Sequence, residues 1–246
     1  MKVVILCGGY GTRIREVSDS VPKPMVPIGN YPILWHIMKY YAHWGHSEFV
    51  LCLGYKGDVI KDFFLNYESR TRDFTITLGH NSSITYNSGH AESDWSVTLA
   101  ETGLKAMTGA RIKRVEKYLA AEDNFMLTYG DAVSDVDLSK LVQFHLNHGK
   151  ILTITGVRPP GRFGELVSDS TGKIVEFNEK PQVVGGGRIS GVSSCAGRKS
   201  STTWTRARTW FSRSGRWARS WPTARRWCTN MTASGCRWTR HGIIRC

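Results

Sequence analysis

Four consecutive apolar residues, Val3-Val4-Ile5-Leu6, run directly into Cys7-Gly8-Gly9-Tyr10-Gly11-Thr12-Arg13. An unbroken apolar run of this length, rich in β-branched residues, reads as a strand buried on both faces. The glycines behind it form a turn in which the backbone can bend tightly and approach a phosphate without a Cβ in the way. Thr12 offers a hydroxyl, and Arg13 a permanent planar cation suited to phosphate oxygens. The pattern is neither a Walker loop, which needs a lysine followed by serine or threonine, nor the dinucleotide fingerprint. Taken alone, such a turn fits a plain strand-to-helix connection as well as a phosphate site. Ten residues past Arg13, Val21-Pro22-Lys23-Pro24-Met25 brings in a second cation.

Up to Arg188 strands and helices alternate. Residues 31–44 read as a helix: Ile33, Leu34, Ile37, Met38 and Tyr41 fall at helical spacing, Pro32 suits a first turn and Gly45 a stop. Residues 58–67, 111–120 and 138–148 read as further helices. Residues 49–53, 74–78, 95–99, 124–129, 151–157 and 173–177 read as strands. Alternation of this kind predicts an α/β fold, a Rossmann-like and mainly parallel sheet flanked by helices. Ligands of such sheets bind at the carboxyl ends of the strands. Gly8 and its neighbours, and Gly130-Asp131, both follow strand ends and can share one crevice. A lone aspartate after a strand is, by itself, more simply a helix cap.

The net charge of +13 over 246 residues suggests a nucleic-acid binder until its distribution is considered. Residues 1–188 hold 21 Lys+Arg and 20 Asp+Glu, whereas residues 189–246 hold 12 Lys+Arg and no acid. That tail also carries six of the nine tryptophans, four of the six cysteines and no leucine. It divides the chain into a domain over 1–191 and an aberrant Arg/Trp/Ser-rich segment over 192–246, expected to be disordered. An Arg/Trp platform for nucleic acid is one alternative for the tail. No apolar run approaches a membrane span and no secretory signal is present, so a cytoplasmic protein without a membrane partner is expected. The cysteines form no CxxC pair, which argues against a zinc site, and a disulfide framework is not expected.

Joined at this spacing, GGxGTR and PKPM are specific, and the chain resembles the sugar-phosphate nucleotidyltransferases, or nucleotide-sugar pyrophosphorylases. Within that family it looks most like the glucose-1-phosphate cytidylyltransferases. The resemblance rests on CGGYGTR at residues 7–13, PKPMVPIGNYPILWHIMKYY at 22–41 and GYKGDVIKDFF at 54–64. It continues with ETGLKAMTGARIKRV at 101–115, TYGDAVSDVD at 128–137, PPGRFGEL at 159–166 and FNEKP at 177–181. It implies the nucleotide-diphospho-sugar transferase fold and a cytoplasmic homo-oligomer with no nucleic-acid partner. The implied reaction joins CTP to α-D-glucose 1-phosphate, giving CDP-glucose for CDP-sugar and O-antigen polysaccharide biosynthesis, with release of pyrophosphate.

The resemblance also implies the site. Leu6, Cys7, Gly8, Gly9, Tyr10 and Gly11 would hold the nucleotide, and Thr12 and Arg13 its triphosphate. Arg13 and Lys23 would be catalytic, neutralising charge on the departing pyrophosphate and on the α-phosphate. Arg111 and Gly130 match nucleotide-binding positions, Glu179 and Lys180 the sugar-phosphate contact, and Asp131 a ligand of Mg²⁺. Against these stand plainer readings: Arg111 as a solvated helix charge beside Lys113, Arg114 and Lys117, and Lys180 as a surface turn. Cys7 and Cys52 read as small core fillers, and His145 and His148 as charges at a helix C-terminus. Asp135 and Asp137 read as solvated loop residues. Alternative functions are a related sugar-1-phosphate nucleotidyltransferase using another NTP, or a non-catalytic nucleotide-sugar or nucleic-acid binder.

The family's second metal-binding aspartate lies in a PMDT segment that this tail lacks as written. Because Trp and Met have single codons, the tail can be partly back-translated and reread one base out of step. Residues 191–195 then permit Gly-Phe-Phe-Val, and residues 233–240 permit Phe-Trp-Met-Pro-Met-Asp-Thr, whose Asp has the fixed codon GAC across Trp238 and Thr239. A one-base shift near Gly191 therefore restores acids and apolar strands. As written, the chain is expected to fold poorly or to be inactive.

Overall fold

The computed structural model describes residues 1–9, 21–79, 82–157, 165–168, 170, 174–178, 189–197, 227–229, 237–238 and 244–245. Its centre is β1 (Val3–Leu6), in parallel between β4 (Glu48–Leu53) and β8 (Asn124–Tyr129). Val3 stands opposite both Phe49 and Met126. β7 (Ser96–Glu101) extends the sheet in parallel beyond β4. On the other side β12 (Ile189–Gly197) runs antiparallel between β8 and β9 (Leu152–Val157). β13 (Trp227–Thr229) closes that edge, parallel to β9, so the seven strands run β13-β9-β12-β8-β1-β4-β7. The mixed, mostly parallel α/β sheet is the one expected from the alternation.

β1 shows why its four residues must be apolar. Val3 and Ile5 face one layer with Leu34, Ile37, Met38, Leu51, Met126 and Leu138, while Val4 and Leu6 face the other with Val50, Ile112, Val115, Phe125 and Leu127. Each such side chain, fully buried, contributes about 1.5–3 kcal/mol. The first layer is covered by α1 (Ile33–His43), α2 (Gly57–Leu65) and α5 (Leu138–His148), and the second by α4 (Thr108–Val115). Leu34, Ile37, Met38 and Tyr41 of α1 are the buried stripe, and the chain leaves through Gly45 at φ +82°. In α5 the Asp137 carboxylate accepts from the Lys140 amide at 2.9 Å, and Gly149 ends the helix at φ +59°. Asp137 is thus an N-cap rather than a solvated loop residue.

Several boundaries differ from expectation. The helix expected over 58–67 is divided into α2 and α3 (Tyr67–Thr71). Between them the Asn66 side chain donates to the Asp62 carbonyl and carboxylate at 2.9 and 2.8 Å, a local bond that competes with helix continuation. α4 begins before residue 111, and a 3-10 turn at Glu116–Leu119 follows it. β2 (Pro27–Ile28) and β3 (Tyr31–Pro32), which pair just before α1, are additional, as are β6 (Ser83–Tyr86), which pairs with β5 (Phe74–Thr77), and β10 (Glu165–Ser168), which pairs with β11 (Ile174–Asn178). β12 runs through Gly191, where the sequence pattern changes. Among the described residues, no helix is long and apolar enough to cross a membrane.

Candidate functional site

The carboxyl ends of β1, β4, β7 and β8 meet at one edge of the sheet, and a cavity of about 270 Å³ opens there. Its walls bring together Leu6, Cys7, Gly8 and Gly9 after β1, Lys23 and Pro24, Arg111, and Tyr129 and Asp131 from the end of β8. The floor is held by backbone bonds: Cys7 donates to the Cys52 carbonyl at 3.1 Å and Gly130 to the Leu6 carbonyl at 3.1 Å. Gly130 is closely packed: a Cβ there would stand 3.0 Å from the Cys7 sulfur and 3.1 Å from Pro24, so its neighbours would have to give by a few tenths of an ångström. Gly9 is exposed, and a Cβ on it would meet nothing within 4 Å, so its bare backbone faces open space.

Lys23 opens a 3-10 turn, Lys23–Met25, whose flanking prolines restrict φ; Met25 donates to the Pro22 carbonyl at 2.8 Å. This turn presents the Lys23 ammonium 3.6 Å from the Asp131 carboxylate. Two residues that the resemblance assigns to opposite signs of the same chemistry thus stand side by side. Asp131 makes this ion pair rather than a helix cap.

Burial pushes the Cys7 thiol well above its ordinary range, aided by Cys52 and the Asp131 charge and opposed by Arg111. Burial likewise pushes Cys52 up to about 12. Both are neutral core thiols, as their sequence setting suggests, and Cys7, Cys52 and Cys195 are free. Tyr129 is raised by burial and then by Asp131, so it meets the cavity as a neutral phenol.

Arg111 corrects one sequence reading. It is only 5% exposed and is not a solvated helix charge. Its guanidinium donates to the Leu53 carbonyl at 2.8 Å, the Thr102 hydroxyl at 2.7 Å and the Gly8 carbonyl at 2.8 Å. At Gly8 the space a Cβ would take is filled by this guanidinium. His145 and His148 are corrected as well, since burial lowers both pKa values and leaves neutral rings rather than charges at a helix end. Tyr10, Gly11, Thr12, Arg13, Glu179 and Lys180 lie outside the described residues.

Sequence reasoning missed the opposite lip, Leu104, Lys105, Ala106, Met107 and Thr108, which follows β7. Leu104 and Met107 are about half exposed, at 49% and 54%. The signal was present in the ETGLKAMTG run, where exposed apolar residues sit between a strand and a helix. A second hollow of about 450 Å³ also holds paired charges, Glu92 with Lys39 at 2.5 Å and Glu68 with Arg72 at 2.6 Å.

A glycine-rich strand end, a lysine and a strand-end aspartate around one cleft define a phosphate-handling transferase of α/β type. Residues 2–190 match the Nucleotidyl transferase family, and the chain belongs to it. It is 46% identical over 182 residues to the glucose-1-phosphate cytidylyltransferases of Salmonella typhi and Salmonella typhimurium, covering 74% of this chain and 70% of each relative. The crystal structure of HddC from Yersinia pseudotuberculosis is similar in fold, with a TM-score of 0.51 and 27% identity over 80% of this chain and 77% of that one.

Proposed function

We propose that the domain over residues 1–191 is built to convert CTP and α-D-glucose 1-phosphate to CDP-glucose and pyrophosphate. The observation that carries the reaction type is the convergence of Gly8–Gly9, Lys23 and Asp131 on one cavity at the carboxyl edge of the sheet. The choice of CTP and glucose 1-phosphate is supported by the two Salmonella relatives. An oxygen of the sugar phosphate attacks the α-phosphorus in line. The α–β anhydride bond breaks, and pyrophosphate leaves with its electron pair. Catalysis is positioning plus charge neutralisation, with no covalent enzyme intermediate. Lys23 neutralises the α-phosphate as charge builds, and Arg13 the departing pyrophosphate. The bare backbone at Gly9 admits the phosphates, while Leu104 and Met107 offer an apolar lip to a flat base.

Magnesium fits this cavity as an ion carried in by the nucleotide. Asp131 supplies one carboxylate, and no group of three or more His, Cys, Asp or Glu among the described residues forms a protein cage. Mg²⁺ keeps several waters and is held by one or two carboxylates plus substrate phosphates, so one carboxylate and a triphosphate suit it. When bound, it screens phosphate charge.

A tail out of frame after about Gly191 leaves the chain short of activity. The test is pyrophosphate release from glucose 1-phosphate with CTP, UTP, GTP and dTTP in parallel, on the written chain and on one with the frame restored. The restored chain should prefer CTP, and Lys23→Ala should lower its kcat by about 100-fold or more. A preference for another nucleotide would refute the base assignment. Equal turnover by the two chains would refute the expected loss of activity.

A further inference from the structure

We infer that Arg111 is a positioning residue: a buried guanidinium that pins the start of the glycine-rich segment to the ends of β4 and β7. The inference adds a loop-holding role to the proposed nucleotide site, and its primary test uses no nucleotide, so the two can fail separately.

The geometry begins with three strand ends. Leu53 ends β4, Thr102 follows β7, and Gly8 lies two residues past β1. The last backbone bonds between them, Thr102 to the Leu53 carbonyl at 3.2 Å and Cys7 to the Cys52 carbonyl at 3.1 Å, come before Gly8. Arg111 enters from α4 and reaches all three, donating at 2.7–2.8 Å to the Leu53 carbonyl, the Thr102 hydroxyl and the Gly8 carbonyl. A charged donor makes a stronger hydrogen bond than a neutral one, and the planar fork fixes the acceptors relative to one another. Thr102 is itself fixed by its own bond to the Leu53 carbonyl at 2.5 Å.

Two glycines make room for the fork. A Cβ at Gly8 would overlap the guanidinium, and one at Gly54 would stand 2.6 Å from it and 2.9 Å from the Gly8 Cα. The second contact is backbone and cannot swing aside. Neither glycine has φ in the left-handed region, so what each position requires is space rather than an unusual backbone. A lysine could replace the charge but not the fork. The role follows from these contacts: Arg111 sets where the Gly8 carbonyl points, and with it the course of the backbone that faces the cavity.

Cys7 reports on this segment. It is 1% exposed and adjoins Gly8, while Cys52 and Cys195 are buried on β4 and β12. Alkylation of the native protein by iodoacetamide, read peptide by peptide, compares the three thiols in one sample. Labelling of a buried thiol follows the local opening that exposes it. In Arg111→Lys and Arg111→Ala, Cys7 should react at least about tenfold faster, equivalent to ~1.4 kcal/mol of local opening, with Cys52 and Cys195 nearly unchanged. Gly8→Ala should reproduce the effect from the other side of the contact. Added guanidinium ion, at concentrations too low to denature, should slow Cys7 labelling in Arg111→Ala but not in Gly8→Ala. Unchanged Cys7 labelling in both Arg111 variants would overturn the inference, and so would fast labelling in the unsubstituted protein. A parallel rise at all three cysteines would also overturn it, since Arg111 would then support the domain as a whole and not the loop.

Discussion

β8 and β12 lie side by side in one sheet and are built of different material. β8 buries Phe125, Met126 and Leu127; opposite them, β12 places Ala196, Cys195 and Ser194, and buries Ser193 as well. Central strands covered on both faces are normally continuous apolar runs, which β8 is and β12 is not. Ser193 is tolerated because its polar groups are met: Tyr41 donates to its hydroxyl at 3.0 Å and Thr155 to its carbonyl at 2.8 Å. Backbone pairing holds β12 in place, but side chains this small supply little burial energy. The proposed one-base shift accounts for the difference, since residues 192–195 fall where the other frame permits Phe-Phe-Val.

The largest expected effect comes from erasing the contrast. Restoring the frame at Gly191 should raise the urea midpoint strongly, because each large apolar side chain added to the centre of the sheet contributes about 1.5–3 kcal/mol. A midpoint unchanged or lowered would break the comparison, as would an independently confirmed coding sequence with no shift. A smaller effect measures the contrast directly. Phe125→Ala should cost about 3–5 kcal/mol in denaturant unfolding, as an aromatic removed from a packed core. Ser193→Ala, which deprives Tyr41 of an acceptor, should cost about 1 kcal/mol. Equal losses would mean that β12 carries as much of the core as β8.

The two strands also differ in how far the sequence discloses them. β1, β4, β8 and α5 were readable because each carries a pattern set by burial: an apolar run, or apolar residues at helical spacing ended by glycine. β12 was not, because Gly191, Ser193 and Ser194 break any apolar run and its pairing depends on strands distant in sequence. At the site, Gly8, Gly9 and Asp131 were legible as residues past strand ends that could share one crevice, but the place of Lys23 beside Asp131 required the fold. For Arg111 the plainer reading, a solvated helix charge, fails on chemical grounds. A charge among Lys113, Arg114 and Lys117 has the local pattern of a solvated face, and only three oxygens from remote strand ends make it a buried one.

The smallest expected effect concerns the strands that flank β12. His145 joins them, with Nε2 3.1 Å from the Asn124 side-chain Oδ1 at the start of β8 and Nδ1 2.7 Å from the Thr153 hydroxyl of β9. His148 Nε2 lies 2.7 Å from the same hydroxyl, and its Nδ1 accepts from the Lys150 amide at 2.8 Å. These bonds agree on one proton arrangement: His148 donates to Thr153, Thr153 to His145, and His145 to Asn124. A proton added to His148 Nδ1 would face the Lys150 amide donor, and one added to His145 Nδ1 would force the Thr153 hydroxyl to turn and accept from both rings, so the arrangement favours neutral rings. Burial also lowers both pKa values. The unfolded chain therefore binds more protons than the folded one as pH falls through the ordinary histidine range near 6.5, so stability is full above that range and declines below it. The urea midpoint should fall between pH 7.5 and 5.5, and His145→Gln should flatten that slope while lowering the midpoint at pH 7.5. An unaltered slope in His145→Gln would show that the flanking strands are tied by something other than this ring.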